Sequence, residues 1–262
     1  MAEETTFETT DPTEARDRIA RFWGGVAAAY DAGPSGGIGS EAERQAWLGI
    51  LGDLLPPAPT DLLDVGTGPG VMAFLAAERG HRAIGIDLAE GMLAVACGKP
   101  ALPPPLVTPQ FARGDAVDPP FPPASFDVVL SRFVFWTLPD PAGALANWRR
   151  ILRPGGRLIA LDIYRWVREI RASPDFADDG WYAQHQDDYA AMAGMRPPLH
   201  ALDSLDAIAD FVRRAGFADV RVRRLPDLER QLAQVMARIP PELGGRFPIH
   251  LIIATKPEEA RS

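Results

Sequence analysis

"LLDVGTGPG", residues 62–70, is the stretch on which the reading of the whole chain turns. An apolar segment carries Asp64, and Gly66, Gly68 and Gly70 then come on alternate positions. A strand entering such a loop delivers the chain to the carboxyl edge of an open α/β sheet, where ligands of these sheets bind. Glycines allow the tight turn and let backbone N–H groups come close to a ligand. Pro69 suits the first turn of a following helix, whose N-terminus favours hydrogen-bond-accepting or anionic groups. A plain strand–helix turn uses glycine too, and the dinucleotide fingerprint is the rival reading. That fingerprint spaces its glycines G-x-G-x-x-G, whereas the spacing here is G-x-G-x-G. A second acid, Asp87, closes the next strand about twenty residues on, where a carboxylate can accept both hydroxyls of an adenosine ribose.

Outward from this loop the chain alternates strands and helices. Strands are expected at 61–66, 82–87, 109–115, 125–132 and 156–163, with helices at 70–80, 89–98 and 141–152 between them. The strands are near-continuously apolar, the mark of a parallel sheet covered on both faces. The expected fold is therefore α/β, a doubly wound, mostly parallel seven-stranded sheet with an antiparallel last strand (248–256) and a helical lid. Residues 1–11 read as a disordered tail. Residues 12–57 read as a helical cap, with a glycine break at Gly24–Gly25 and an N-cap at Ser40. Residues 58–163 and 204–262 form the core domain. Residues 164–203, aromatic and acidic, break the rhythm and read as a lid or substrate insertion.

Composition narrows the partners. The 262 residues are 47% hydrophobic and carry a net charge of −8. Proteins that grip a nucleic-acid backbone show the opposite sign. The arginine clusters at 149–153 and 221–224 read as solvated faces and helix ends. Cys97, the single cysteine, reads as a packing residue and excludes a multi-cysteine metal site. The acidic, polar first residues carry no secretory signal and no run reaches membrane-spanning length, so a cytoplasmic protein with no membrane or nucleic-acid partner is expected, as a monomer or homodimer.

The ordered motifs resemble those of the class I S-adenosylmethionine-dependent methyltransferases. "LLDVGTGPG" is similar to their first motif, "AIGIDLAEGML" to the second, and "ARGDA" (112–116) to the adenine-contacting loop. "FDVVLSR" is similar to their fourth strand, "WRRILRPGGRLIALD" to the helix, turn and strand after it, and "VAAAYD" to the segment preceding the domain in small-molecule members. The resemblance implies a Rossmann-like methyltransferase fold and S-adenosyl-L-methionine as cofactor. It implies that Gly66, Thr67, Gly68 and Gly70 line the methionine part, that Asp64 supports the loop or the amino group, and that Tyr30 closes over the carboxylate end. Asp87 would hold the ribose. Leu88 and Met92 would pack on adenine, although core packing explains them equally. Gly114, Asp115 and Ala116 would meet the adenine amino group, with a turn cap as the bland role for Asp115. Ser131 would offer its carbonyl to the methionine amine.

Methyl transfer from a sulfonium needs an in-line nucleophile, exclusion of water and sometimes a base. Candidate bases are His185, with Tyr182 beside it, and Asp162; His200 competes. A helix carrying Trp181, Tyr182, His185, Tyr189 and Met192 would put most of them on one face, facing either substrate or core. Trp23, Phe135, Trp136 and Tyr164 complete the candidate substrate wall; Phe135 and Trp136 serve equally as the floor of the core. His81 and His250 read as surface or strand-edge residues. No carboxylate cluster ends strands four and five, so no metal is expected. After strand four, "SRFVFW" lacks the Asn/Asp-Pro-Pro-aromatic signature of nucleic-acid-base methyltransferases. The expectation is metal-independent methylation of an O, N or C atom of a small secondary metabolite, of the kind GC-rich bacterial genomes often encode. A cyclase on the same fold, and a tRNA or protein methyltransferase, remain as alternatives.

Overall fold

In the computed structural model the residues described are 12–33, 36–99, 105–162, 202, 204–226, 228 and 249–258. They form one seven-stranded sheet with helices on both faces. The strands are β1 (Asp61–Val65), β2 (Arg82–Asp87), β3 (Gln110–Arg113), β4 (Phe126–Arg132), β5 (Leu152–Asp162), β6 (Ala218–Arg224) and β7 (His250–Thr255). The helices are α1 (Pro12–Ala32), α2 (Glu41–Leu54), α3 (Val71–Glu78), α4 (Glu90–Gly98), α5 (Pro141–Ile151) and α6 (Leu205–Arg214). The strand order is β3-β2-β1-β4-β5-β7-β6, with β7 antiparallel to both its neighbours. Strand order therefore reverses between β1 and β4, and the crevice at such a switch point opens over their carboxyl ends.

Two apolar layers hold the sheet between them. One packs Leu62, Leu130 and Leu161 under Trp47, Leu51 and Met72 of α2 and α3. The other packs Leu63, Val65 and Val129 under Leu145, Trp148 and Ile208 of α5 and α6. The period of α5 fits this: Ala144, Leu145, Trp148 and Ile151 are buried at spacings of three and four. Ser40 caps α2 by accepting from the Glu43 amide at 3.1 Å, as its sequence signal implies.

The structure departs from the expectations in several places. No break occurs at Gly24–Gly25; α1 is continuous from Pro12 to Ala32. The glycines serve a close helix crossing instead. A Cβ on Gly91 of α4 would lie 2.4 Å from the Gly24 carbonyl oxygen, so α1 rides on α4 backbone to backbone. The last strand, β7, begins and ends within two residues of the expected bounds, but β5 starts earlier than expected, at Leu152. It passes through a register shift opposite Phe126 and Val128, with Gly155 at φ +74°. Cys97 is exposed on α4 rather than packed. His81 and His250 are buried. The His81 ring nitrogen Nδ1 lies 2.7 Å from the Thr60 hydroxyl, and His250 pairs with Asp162 inside the sheet. Arg149 and Arg150 do close α5, but Arg153 ion-pairs with Asp61 and Asp127 at the opposite edge of the sheet from the crevice. The tail 1–11 and the lid 164–203 lie outside the described residues. Among those described, no helix is long and apolar enough to cross a membrane.

Candidate functional site

A crevice opens at the carboxyl ends of β1, β2 and β4. α1 roofs it through Arg16, Ile19, Trp23 and Tyr30. Its floor is the glycine loop. Gly66 and Gly68 hold φ of +63° and +53°, a region that L side chains rarely adopt. A Cβ at Gly66 would meet Val134 at 2.5 Å. Gly68 instead faces the gap between α1 and α4: a Cβ there would sit 3.9 Å from the Met92 sulfur and 4.0 Å from the Tyr30 ring. Any side chain at Gly68 would project into the space a ligand would use.

Two acids, the buried Asp64 and the half-buried Asp87, fix the loop and set the charge of the crevice. Thr67 donates its hydroxyl to Asp64 at 2.6 Å and its amide to the Ile86 carbonyl at 2.9 Å. Asp87 accepts from the Gly68 amide on one oxygen and from the Ala89 amide on the other, both at 2.9 Å. Each of those oxygens keeps a lone pair for a further donor. Burial pushes the Asp64 carboxyl up to about 7, against the opposing pull of the Thr67 hydroxyl and of Arg132. Burial also raises Asp87, against the backbone amides that hold it. The Tyr30 phenol is pushed up by burial as well, with Arg132 acting the other way.

The structure brings together most of the residues expected to meet a cofactor. Tyr30, Asp64, Gly66, Thr67, Gly68, Asp87, Leu88, Met92, Asp115 and Ala116 all line this crevice, as does Trp23 from the substrate set. It places others elsewhere. Gly70 begins α3 and turns against the ring of Phe111, where a Cβ would come within 2.8 Å; it serves packing. Gly114 packs on Ile86 and donates its amide to the Asp87 carbonyl. Ser131 is fully buried within β4, behind the wall formed by Arg132, Phe133 and Val134. Phe135 is core, packed edge-on to Trp148 with ring centroids 4.9 Å apart, and forms no part of the crevice wall. Asp162 is fully buried and accepts the Phe135 amide at 2.6 Å, so it anchors the turn after β4. The side chain of Trp136, and Tyr164, Trp181, Tyr182, His185, Tyr189, Met192 and His200, lie outside the described residues. Among those described, no three His, Cys, Asp or Glu side chains converge as a metal site.

Two arginines of the wall went unassigned in the sequence. Arg16 of α1 ion-pairs with Asp115 at 2.6 Å across the crevice. Arg132 ends β4, donates to the Gly36 carbonyl at 3.0 Å, and lies over the rings of Trp47 (5.5 Å) and Phe133 (5.2 Å). The signal for Arg132 is a cation at the carboxyl end of a largely buried central strand, which demands a partner there. Arg16 had no local signal.

Comparison with known proteins agrees with this geometry. The family described as methyltransferase domain matches residues 63–160. Nocamycin O-methyltransferase of Saccharothrix syringae is 35% identical over 209 residues, 75% of this chain and 71% of that protein. Demethylmenaquinone methyltransferase of Renibacterium salmoninarum is 27% identical over 220 residues, 80% of this chain and 87% of that one. Among solved structures, the [4+2]-cyclase SpnF superposes with a TM-score of 0.63 at 17% identity, over 92% of this chain and 95% of its own. Phosphoethanolamine N-methyltransferase 2 of Haemonchus contortus, in complex with S-adenosyl-L-methionine, gives 0.62 at 20% identity, over 93% of this chain and 60% of its own.

Proposed function

Because the chain belongs to the class I S-adenosylmethionine-dependent methyltransferases, we propose that it moves a methyl group from S-adenosyl-L-methionine to an O, N or C atom of a small organic molecule, without a metal. The observation that carries this is the pair of acids, buried Asp64 and half-buried Asp87, on either side of an open glycine at Gly68. Both acids hold the loop and still face the crevice, so a ligand with several hydrogen-bond donors would find acceptors in both.

The residues fit the donor. The Asp87 oxygens, already oriented by two backbone amides, would accept the ribose hydroxyls. Leu88 and Met92 offer apolar surface to the adenine, and Asp115 and Ala116 lie at its rim. Asp64 would face the ammonium group. Trp23 and Tyr30, edge to face at 5.3 Å, form a roof that excludes water from the reacting atoms. When bound, the sulfonium supplies an electrophilic methyl group, so positioning of the acceptor supplies much of the rate. The acceptor would be ring-bearing, a secondary metabolite, enclosed by α1 and the 164–203 segment, with His185 and Tyr182 as candidates for taking its proton. A labelled-methyl screen over phenols, carboxylic acids, amines and carbon acids tests the proposal. Label in an organic product, with one S-adenosylhomocysteine formed per transfer, supports it; turnover to a product of unchanged mass would favour a cyclase.

A pH dependence arises from Asp64. An ammonium beside it favours the ionised carboxylate, so binding below about pH 7 must first expel a proton. Affinity for S-adenosylhomocysteine should rise close to tenfold per pH unit approaching 7 from below and flatten above it, since one unit of pH is worth ~1.4 kcal/mol here. Calorimetry in buffers of different ionisation heat should record close to one proton released at pH 6. Asp64→Asn should abolish that release, and a flat profile between pH 6 and 8 would remove Asp64 from the ligand.

A further inference from the structure

The ligand edge of the sheet divides by charge. On one side of the switch point the crevice is lined by acids: Asp115 just past β3, Asp87 at the end of β2 and Asp64 in β1. On the other side the strands end in cations. Arg132 closes β4, and Arg223 and Arg224 close β6, which runs parallel to β5 because both are antiparallel to β7. The acid that closes a strand on that side, among the described residues, is Asp162; it is fully buried on the Phe135 amide and outside the crevice wall. Two cations line the crevice itself, Arg16 and Arg132. Arg16 is neutralised by Asp115. Arg132 forms no ion pair among the described residues: the Gly36 carbonyl takes one of its N–H groups, and its guanidinium lies over the rings of Trp47 and Phe133. A guanidinium presents two edges, each with a pair of parallel N–H groups, so one bond to a carbonyl leaves an edge whole. Pinned between rings and open at one edge, Arg132 can take a carboxylate with little further loss of freedom.

We propose that Arg132 receives a carboxylate of the methyl acceptor, which makes the acceptor an organic acid. This rests on the methyl transfer proposed above, with the donor on the acidic side of the edge. With adenosine over β2 and β3 and the sulfonium at the glycine loop, the side left for the acceptor is that of β4, where Arg132 stands among Val134, Leu138 and Pro139. Those neighbours offer apolar surface to the rest of the acceptor while the guanidinium anchors its acid group. The donor brings a sulfonium and an ammonium, and neither cation answers the charge of Arg132. Arg132 is thereby a specificity residue: an amide of the same acid carries no charge to it and leaves the guanidinium unpaired.

The test uses the full chain, labelled S-adenosylmethionine and matched acceptors: hydroxybenzoic, hydroxycinnamic and arylacetic acids, each against its primary amide. Wild type should methylate the acids with a kcat/KM about tenfold or more above that of the amides. Arg132→Gln should erase that preference by about the same factor, chiefly through the KM of the acid. Calorimetry should find its affinity for S-adenosylhomocysteine within about twofold of wild type, which also reports a folded site. Arg132→Lys, which keeps the charge but not the paired donors, should fall between. Equal rates for acids and amides in wild type would overturn the assignment. So would an Arg132→Gln protein that melts normally but binds S-adenosylhomocysteine about tenfold more weakly, since Arg132 would then serve the donor. Label entering the phenols and amines of the wider screen but no acid would overturn it and leave methyl transfer standing. Label in no compound of either set would sink the methyl transfer itself.

Discussion

Asp87→Ala should weaken S-adenosylhomocysteine binding by about 3 kcal/mol, more than a hundredfold, because two hydroxyl donors lose a charged acceptor. The effect goes beyond the ligand. The Asp87 oxygens separately accept the Gly68 and Ala89 amides, so the substitution orphans a donor in the glycine loop and another at the start of α4. Each buried unpaired N–H costs ~1–3 kcal/mol. The unliganded protein should therefore melt several degrees lower, and the gain in melting temperature on adding ligand should vanish. Asp87→Asn is not a mild control. Both oxygens accept from the backbone, so whichever way the amide turns, its NH2 faces another donor. It should lose nearly as much affinity as alanine. Wild-type affinity in either variant would take Asp87 out of the site and leave Asp64 to carry the case for a ligand.

The parts of this site that could be read from the sequence are those whose chemistry is local. The strand, the alternating glycines and the acid closing β2 lie in one short stretch, and their spacing restricts what they can do. The same locality misleads at Gly24–Gly25. Two adjacent glycines cost roughly 2 kcal/mol of helix propensity, and that argues for a break until Gly91 comes into view. That partner is distant in sequence, and the close crossing it makes with Gly24 answers the local cost. Phe135 shows the limit of aromatic patterning, for an aromatic after a central strand looks the same whether it faces ligand or core. The amide bond to Asp162 and the edge-on contact with Trp148 decide for the core. Arg16 is the extreme case. It stands in a polar, charged stretch of α1, and only the tertiary crossing of α1 over the sheet edge sets it against Asp115.

That crossing makes the Asp115 end of the crevice depend on the core beneath it. Trp148 is fully buried, and its indole nitrogen donates to the Ala116 carbonyl at 2.6 Å. Asn147, its neighbour, donates to the Val117 carbonyl at 3.0 Å. α5 thus holds from below the loop that presents Asp115, Ala116 and Val117 to the crevice. Trp148→Ala should cost ~3–5 kcal/mol through the cavity left between α5 and the sheet, enough to unfold much of the population of a marginally stable domain. Trp148→Phe separates packing from anchoring. It keeps most of the ring against Phe135 but strips the Ala116 carbonyl of its donor, at a cost of ~1–3 kcal/mol, or a fall in melting temperature of roughly 3–10 °C for a chain of this size. The loosened loop should then weaken adenosine and S-adenosylhomocysteine by the same factor, several-fold, because both lean on the adenine end. A Trp148→Phe protein with wild-type melting and wild-type adenosine affinity would mean that the indole donor does not set the loop, and that Arg16, the Val117 amide and Asn147 suffice to hold the crevice wall at Asp115.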